Sequence, residues 1–251
     1  MEDKPFIIVD KPSGLASAPL SADDFDNALI QASKQYPEIL NVKGKKSIEY
    51  GLLHRLDTVT SGLLLIALNQ DFYDYMIEEQ KNGRFIKYYR AQCKIDKNNW
   101  KKLEGFPEPD VNIDLIASSN KKSFVLQSYF RHFGKNNSET RVVTEKSNPA
   151  ALKKLGKKEL YSTEVKILSV KGDICEVECK ITKGFKHQVR CHLAWCGLPV
   201  VNDALYNADF KRECDLGIKK AEEQIRFSAS KIEFYYPRGD LNSYDRKDTW
   251  T

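Results

Sequence analysis

The sequence predicts an α+β protein built on a mixed, mainly antiparallel sheet with a few flanking helices. Three observations carry that reading. Compact apolar runs rich in β-branched residues, such as Phe6-Ile7-Ile8-Val9, read as buried strands. The stretch from Ile86 to Ile95 alternates, with Ile86, Tyr88, Arg90 and Gln92 on one face and Lys87, Tyr89, Ala91 and Cys93 on the other. Two long strands, Thr163 to Val170 and Ile174 to Ile181, are joined by the hairpin turn Lys171-Gly172-Asp173.

The remaining elements follow in order. Lys11-Pro12-Ser13-Gly14 closes the first strand in a turn. Asp26 to Tyr36 has helical spacing, with Ala28, Leu29, Ala32 and Tyr36 near one face, and Pro37 stops it. Leu63 to Leu68 is a buried strand, and Phe72 to Gln80 a helix ended by Gly83. Residues 96–123 read as loops around a short strand near Val111 to Ile116. Phe124 to Phe130 is a strand, and 131–158 is a long polar excursion. His187 to Cys196 is a helix with Val189, Leu193 and Cys196 as its buried stripe and Gly197 as its stop. Ile232 to Tyr236 is a last strand, closed by Pro237.

Composition sets the bounds. At 251 residues the chain forms one large domain or two coupled lobes. Its 41% hydrophobic and 30% charged residues are those of a soluble globular protein. A net charge of +5 is compatible with a polyanionic partner without identifying one. None of the six cysteines forms a CxxC pair, so a zinc ribbon is not expected. The longest apolar run, Gly62 to Leu68, is too short to cross a bilayer. The charged start, Met1-Glu2-Asp3-Lys4-Pro5, is not a secretory leader, so reduced thiols and a cytoplasmic location are expected.

Two segments break the structural pattern. In Leu53-His54-Arg55-Leu56-Asp57-Thr58-Val59-Thr60-Ser61-Gly62 a carboxylate stands beside an Arg and a His at the mouth of a buried strand. Neighbouring cations keep such a group ionised while burial partly desolvates it. Taken alone, the tetrad is better read as a plain ion pair among turn residues. In Thr182-Lys183-Gly184-Phe185-Lys186-His187-Gln188-Val189-Arg190-Cys191-His192-Leu193 a strand passes into a helix whose first turns are densely polar. His187 and Arg190 share a helix face, which suits an anion or a buried carboxylate, or a solvated amphipathic helix.

Taken together, these segments resemble the RluA-type family of RNA pseudouridine synthases. The order His54-Arg55-Leu56-Asp57, Thr60-Ser61-Gly62, Lys87-Tyr88-Tyr89-Arg90-Ala91, His187-Gln188-Val189-Arg190-Cys191-His192, Gly197-Leu198-Pro199 and Asp203-Ala204-Leu205-Tyr206 matches that family's motifs. Val9-Asp10-Lys11-Pro12-Ser13-Gly14-Leu15 is similar to its first strand and turn. The resemblance implies the family's catalytic fold with a central RNA-binding cleft. It implies a single catalytic domain over 1–251 with two sub-lobes and no separate N-terminal RNA-binding domain.

The resemblance also implies roles. Asp57 would be the carboxylate that starts breaking a uridine's glycosidic bond. Tyr89 would stack on the uracil and help deprotonate its carbon, and Arg190 would pair with Asp57. Arg55 would fill the space left by the flipped uridine, and His54 would support that loop. His54, Arg55, Thr60, Lys186, His187 and Gln188 would together form the substrate-binding set. The partner would be RNA, either rRNA or tRNA, and the protein a monomer with no membrane association. No metal, nucleotide or other cofactor is expected, because the reaction is an isomerisation without net redox change. Lys11, Lys45, Lys46, Lys183 and Lys186 are candidate phosphate contacts.

The chain departs from the family pattern in places. Phe185 stands where an Arg is usual, Ser228-Ala229 where His-Ala is common, Tyr236-Pro237 for His-Pro and Asn202-Asp203 for Gly-Asp. These changes bear on RNA choice more than on chemistry. They also motivate the alternative of a catalytically inactive RNA-binding or ribosome-assembly factor. An acid hydrolase using Asp57 would need a second carboxylate that the sequence does not place.

Overall fold

The computed structural model describes residues 4–21, 23–111, 113, 122–156, 158–237 and 239–246. Along the chain, β1 (Phe6–Lys11) is followed by α1 (Ala28–Ser33) and a 3-10 turn at Pro37–Asn41. The α1 helix is shorter than its apolar spacing predicts, because Asn27 caps its start, accepting from the Ile30 N–H at 3.0 Å, and helical backbone ends at Ser33. Next come β2 (Ser61–Ala67), α2 (Gln70–Lys81) and β3 (Phe85–Lys94). Asn69 caps α2 by accepting from the Phe72 N–H at 2.9 Å, and Gly83, at φ +70°, ends it.

A short α3 (Asn99–Lys102), β4 (Ser123–Phe133), β5 (Glu139–Val143) and α4 (Pro149–Lys153) follow. Then come β6 (Tyr161–Lys171), β7 (Ile174–Ile181), α5 (Gln188–Trp195), α6 (Ala208–Asp215), β8 (Phe227–Tyr235) and β9 (Leu241–Asp245). The expected polar excursion over 131–158 is corrected here. β4 continues to Phe133, and β5 returns antiparallel to it, from Phe133 opposite Glu139 to Tyr129 opposite Val143. The short strand expected near Val111 to Ile116 lies largely outside the described residues.

The chain forms two compact units, crossing from the first to the second inside β3 after Tyr88 and returning at Ser228. In the first unit the strand order is β1-β2-β8-β3, with β9 on β8. β1 and β2 run antiparallel, while β2 and β8 are parallel, Ser61 facing Ser228 and Gly62 facing Ala229. β2 is buried along its whole length. Its core joins Phe6, Leu63, Leu65, Phe72, Met76, Phe85 and Phe234, with α2 on the sheet. Fully burying each such side chain contributes roughly 1.5–3 kcal/mol.

In the second unit the order is β3-β7-β6-β4-β5. The β4–β6, β6–β7 and β4–β5 pairs are antiparallel. α5 is buried at every position from Gln188 to Trp195. A helix buried on all sides cannot hide its polar residues from the core, so each needs a partner there.

Candidate functional site

In the first unit the loop entering β2 carries Asp57, which is partly exposed. Its backbone is fastened from behind by the turn after β1. Gly14 N–H donates to Thr58 O at 2.8 Å, and Ser13 Oγ donates to Val59 O at 2.6 Å. Ser17 Oγ donates to Leu56 O at 2.8 Å and accepts the Leu56 N–H at 2.9 Å. Thr60 N–H donates back to Asp57 O at 2.9 Å, closing the turn that presents the carboxylate. Gly62, at φ +121°, passes so close to β8 that a Cβ there would lie 2.2 Å from Ala229 O.

Lys11 corrects its expected role as an RNA contact. It is fully buried, and its Nζ donates to Leu15 O at 2.6 Å, Pro12 O at 2.9 Å and Thr58 O at 3.2 Å. Burial lowers its pKa to about 8, opposed by the charge of Asp57. The ammonium binds the turn to the loop; it does not face a partner.

His54 points inward. Its Nε2 accepts the Leu65 N–H at 3.1 Å, and its ring meets Phe85 edge-on at 5.2 Å. Burial, with the charge of Lys87 added, holds its pKa at about 3, so it is a neutral acceptor. Lys87 itself is buried, with its Nζ 5.0 Å from the centroid of the Phe85 ring, and burial lowers its pKa to about 8. Arg55 is exposed and pairs with Glu49 at 3.0 Å. Thr60 is buried rather than surface-facing, and its hydroxyl has no hydrogen-bond partner among the described residues. Lys45 and Lys46 are exposed, Lys46 lying 3.6 Å from Glu49.

In the second unit Tyr89 stands on the buried face of β3, its ring stacked on Phe227 at 5.2 Å with the planes 6° apart. Arg190, on α5, is buried against a carboxylate that the motif reading left without a role. Its Nε and Nη2 donate to Asp203 Oδ2 and Oδ1 at 2.8 and 2.7 Å. This bidentate fork fixes the guanidinium plane. Burial raises the Asp203 pKa, but the Arg190 charge and the N–H groups of Leu205 and Tyr206 outweigh it and hold the carboxyl below its ordinary value.

The rest of α5 is spent on the same unit. Gln188, expected to touch substrate, is buried: its amide donates to Ser162 O at 3.0 Å and Thr163 Oγ1 at 3.2 Å and accepts the Phe185 N–H at 2.9 Å. His187 takes a left-handed backbone, φ +56°, and its Nδ1 lies 3.0 Å from the Tyr206 hydroxyl. Lys186 is exposed and donates to Asn137 O at 2.6 Å, while Lys183 pairs with Glu159. Phe185 stacks on Phe130 and His132.

Sequence reasoning missed Asp203 as a partner of Arg190 and Lys11 as a buried fastener. The signal for the first was an acid inside a recognised motif; the signal for the second was a lysine directly before a turn. Cys93, Cys175, Cys179, Cys191 and Cys196 are buried free thiols whose pKa burial pushes up, so they are poor nucleophiles. Among the described residues no cluster of three His, Cys, Asp or Glu is arranged to hold a metal ion. No described helix is long and apolar enough to cross a membrane.

Comparison with known proteins adds a second line. Residues 5–195 match the family model described as RNA pseudouridylate synthase. The chain is 26% identical to the ribosomal large subunit pseudouridine synthase D of Borreliella burgdorferi, over 82% of this chain and 53% of that protein. It is 25% identical to the dual-specificity RNA pseudouridine synthase RluA of Vibrio parahaemolyticus, over 94% of this chain and 77% of that one. Against the tRNA pseudouridine(31) synthase of Saccharomyces cerevisiae it is 26% identical, over 82% and 45%. The chain thus spans about half the length of several curated relatives it matches. In fold it is similar to human RNA pseudouridylate synthase domain containing 1, with a TM-score of 0.63 at 16% identity, covering 99% of this chain and 82% of that one.

Proposed function

Because the chain belongs to the RNA pseudouridylate synthase family, we propose that it isomerises uridine to pseudouridine in rRNA or tRNA, with Asp57 as the catalytic carboxylate. The observation that carries this reading is the Asp57 loop, whose backbone is tied down on one side while the carboxylate stays accessible. A reacting group needs both reach and fixed aim.

Asp57, Tyr89 and Arg190 are assigned to one catalytic set. The N1–C1′ bond of the uridine breaks and a C5–C1′ bond forms. A proton leaves C5 and one is taken up at N1, so atoms and charge balance with no redox partner. Asp57 initiates the cleavage, Tyr89 assists removal of the C5 proton, and Arg190 supplies positive charge for the reacting carboxylate. The uridine must leave its stack to be reached, and Arg55, exposed beside Asp57, is assigned to the vacated space. His187 and Lys186 complete the RNA-facing residues. His54, Thr60 and Gln188 act from behind, by shaping the backbone. The protein acts as a monomer in the cytoplasm, with no cofactor.

The test is tritium release from RNA labelled at uridine C5, using unmodified rRNA and tRNA transcripts. Wild-type protein releases tritium, and Asp57→Ala lowers the rate by about 10³-fold or more. No release by the wild type, or equal release by the variant, overturns the reading.

A further inference from the structure

The β4–β5 hairpin of the second unit carries a charge arrangement that the catalytic reading does not use. Arg131 on β4 and Arg141 on β5 are direct cross-strand partners. Like charges in that position repel and destabilise a sheet. Both guanidiniums lie on one ring, with their central carbons 5.1 and 3.1 Å from the centroid of Phe133. Both also reach the same spot on the loop before them. A side chain at Gly105 would start 3.0 Å from Arg141 Nη1 and 3.9 Å from Arg131 Nη2. Glycine at φ +75° keeps that spot clear.

Their counter-charges do not match them. Arg141 has a nearly buried side chain and contacts Glu104 at 3.3 Å and Glu139 at 4.0 Å. Glu104 is 83% exposed, so its hold is weak and easily given up. Arg131 has no ion-pair partner among the described residues. Desolvation, then the neighbouring Arg141 charge, lower its pKa, and Glu104 only partly offsets them. Two convergent forks held only by the exposed Glu104 and, at 4.0 Å, by Glu139 are what a tetrahedral oxyanion with several acceptor oxygens satisfies.

We propose that Arg131 and Arg141, seated on Phe133 and opposite Gly105, form a binding site for a backbone phosphate of the RNA substrate, which displaces Glu104. The site rests on the reading of the protein as an RNA-modifying enzyme and adds a positioning contact on the second unit. It carries no base specificity, because a phosphate contact sets register and not sequence.

The experiment measures affinity by fluorescence anisotropy of unmodified rRNA and tRNA transcripts over a salt series, alongside tritium release and thermal melting. Arg131→Gln weakens binding about tenfold and reduces the slope of log affinity against log salt by about one. It leaves Tm unchanged or raised, since a repulsive pair is relieved. Glu104→Gln tightens binding, because the competing carboxylate is gone. Lys180→Gln, at a half-buried cation paired to Glu164 on the same unit, is the control and changes neither quantity. Tritium release with affinity and salt slope unchanged in Arg131→Gln overturns the site while leaving the enzyme reading intact. So does a large drop in Tm with Arg131→Gln, which would mark a structural arginine, or weaker binding by Glu104→Gln. No RNA binding and no tritium release by the wild type overturns both.

Discussion

Asp57 in the first unit and Arg190 in the second are held by different means. Asp57 is partly exposed, and its loop is fixed through backbone groups by Ser13, Gly14, Ser17 and the buried ammonium of Lys11. Arg190 is buried, and its own side chain is clasped by Asp203. The difference follows from the work assigned to each. A carboxylate assigned to meet a substrate has to stay reachable, and its aim comes from the chain beneath it. A guanidinium whose contribution is a fixed field can be desolvated, provided a counter-charge with matching geometry is desolvated with it.

Removing the clasp has the largest expected effect on stability. Asp203→Ala leaves an uncompensated buried cation and costs about 3–5 kcal/mol, read by denaturant unfolding. The double variant Asp203→Ala/Arg190→Met recovers much of that stability and none of the activity, which separates the structural role of the pair from the catalytic role proposed for Arg190. The Asp203 carboxyl titrates below its ordinary value of 3.8 in the fold, so its stabilisation is present above pH 3.8 and lost as pH falls through the folded value.

Loosening the first unit's loop has a smaller effect on the fold and a visible one on rate. Lys11→Met keeps the volume but leaves the carbonyls of Pro12, Leu15 and Thr58 without their donor. It costs about 1–3 kcal/mol, and kcat falls about tenfold with KM little changed, because Asp57 loses aim rather than substrate affinity. An unchanged kcat in a folded Lys11→Met protein would break the comparison drawn above.

The smallest effect appears only in acid. His54 in the first unit is half-buried and His192 in the second fully buried, and desolvation lowers both pKa values to about 3. His192 is held between Ser128 Oγ at 2.9 Å and Thr163 Oγ1 at 2.8 Å. The unfolded chain binds these protons near pH 6.5 and the folded one does not. Stability is therefore full above pH 6.5 and lost as pH falls towards 3, at about 1.4 kcal/mol per pH unit for each histidine. His192→Gln makes the decline between pH 6.5 and 5 about half as steep, as followed by urea unfolding at several pH values.

The parts legible in the sequence were those whose burial is apolar. β2 reads as a solid apolar run, β3 as alternation, α2 as spaced apolar residues, and the β6–β7 hairpin through its Gly172 turn. β5 was hidden because Thr140 and Arg141 are buried polar residues in a stretch that looks like loop. α6 was hidden because it buries Phe210 and little else, and β9 because it alternates at the sheet edge without burying a residue. The motif order singled out Asp57, Tyr89 and Arg190 as candidates. It gave no sign that Gln188 and His54 face inward, since a hydrogen bond to a backbone group leaves no trace in residue type. Asp203 pairs with Arg190 through a connection that only the folded chain defines.

We propose that Asp57 makes this chain an RNA isomerase. Pseudouridine mapping in the rRNA and tRNA of a strain lacking the protein, complemented with wild type or with Asp57→Asn, tests it most directly. At least one pseudouridine disappears in the deletion, returns with the wild type and stays absent with a folded Asp57→Asn protein. Restoration by Asp57→Asn, or no site that depends on the protein, would contradict the claim.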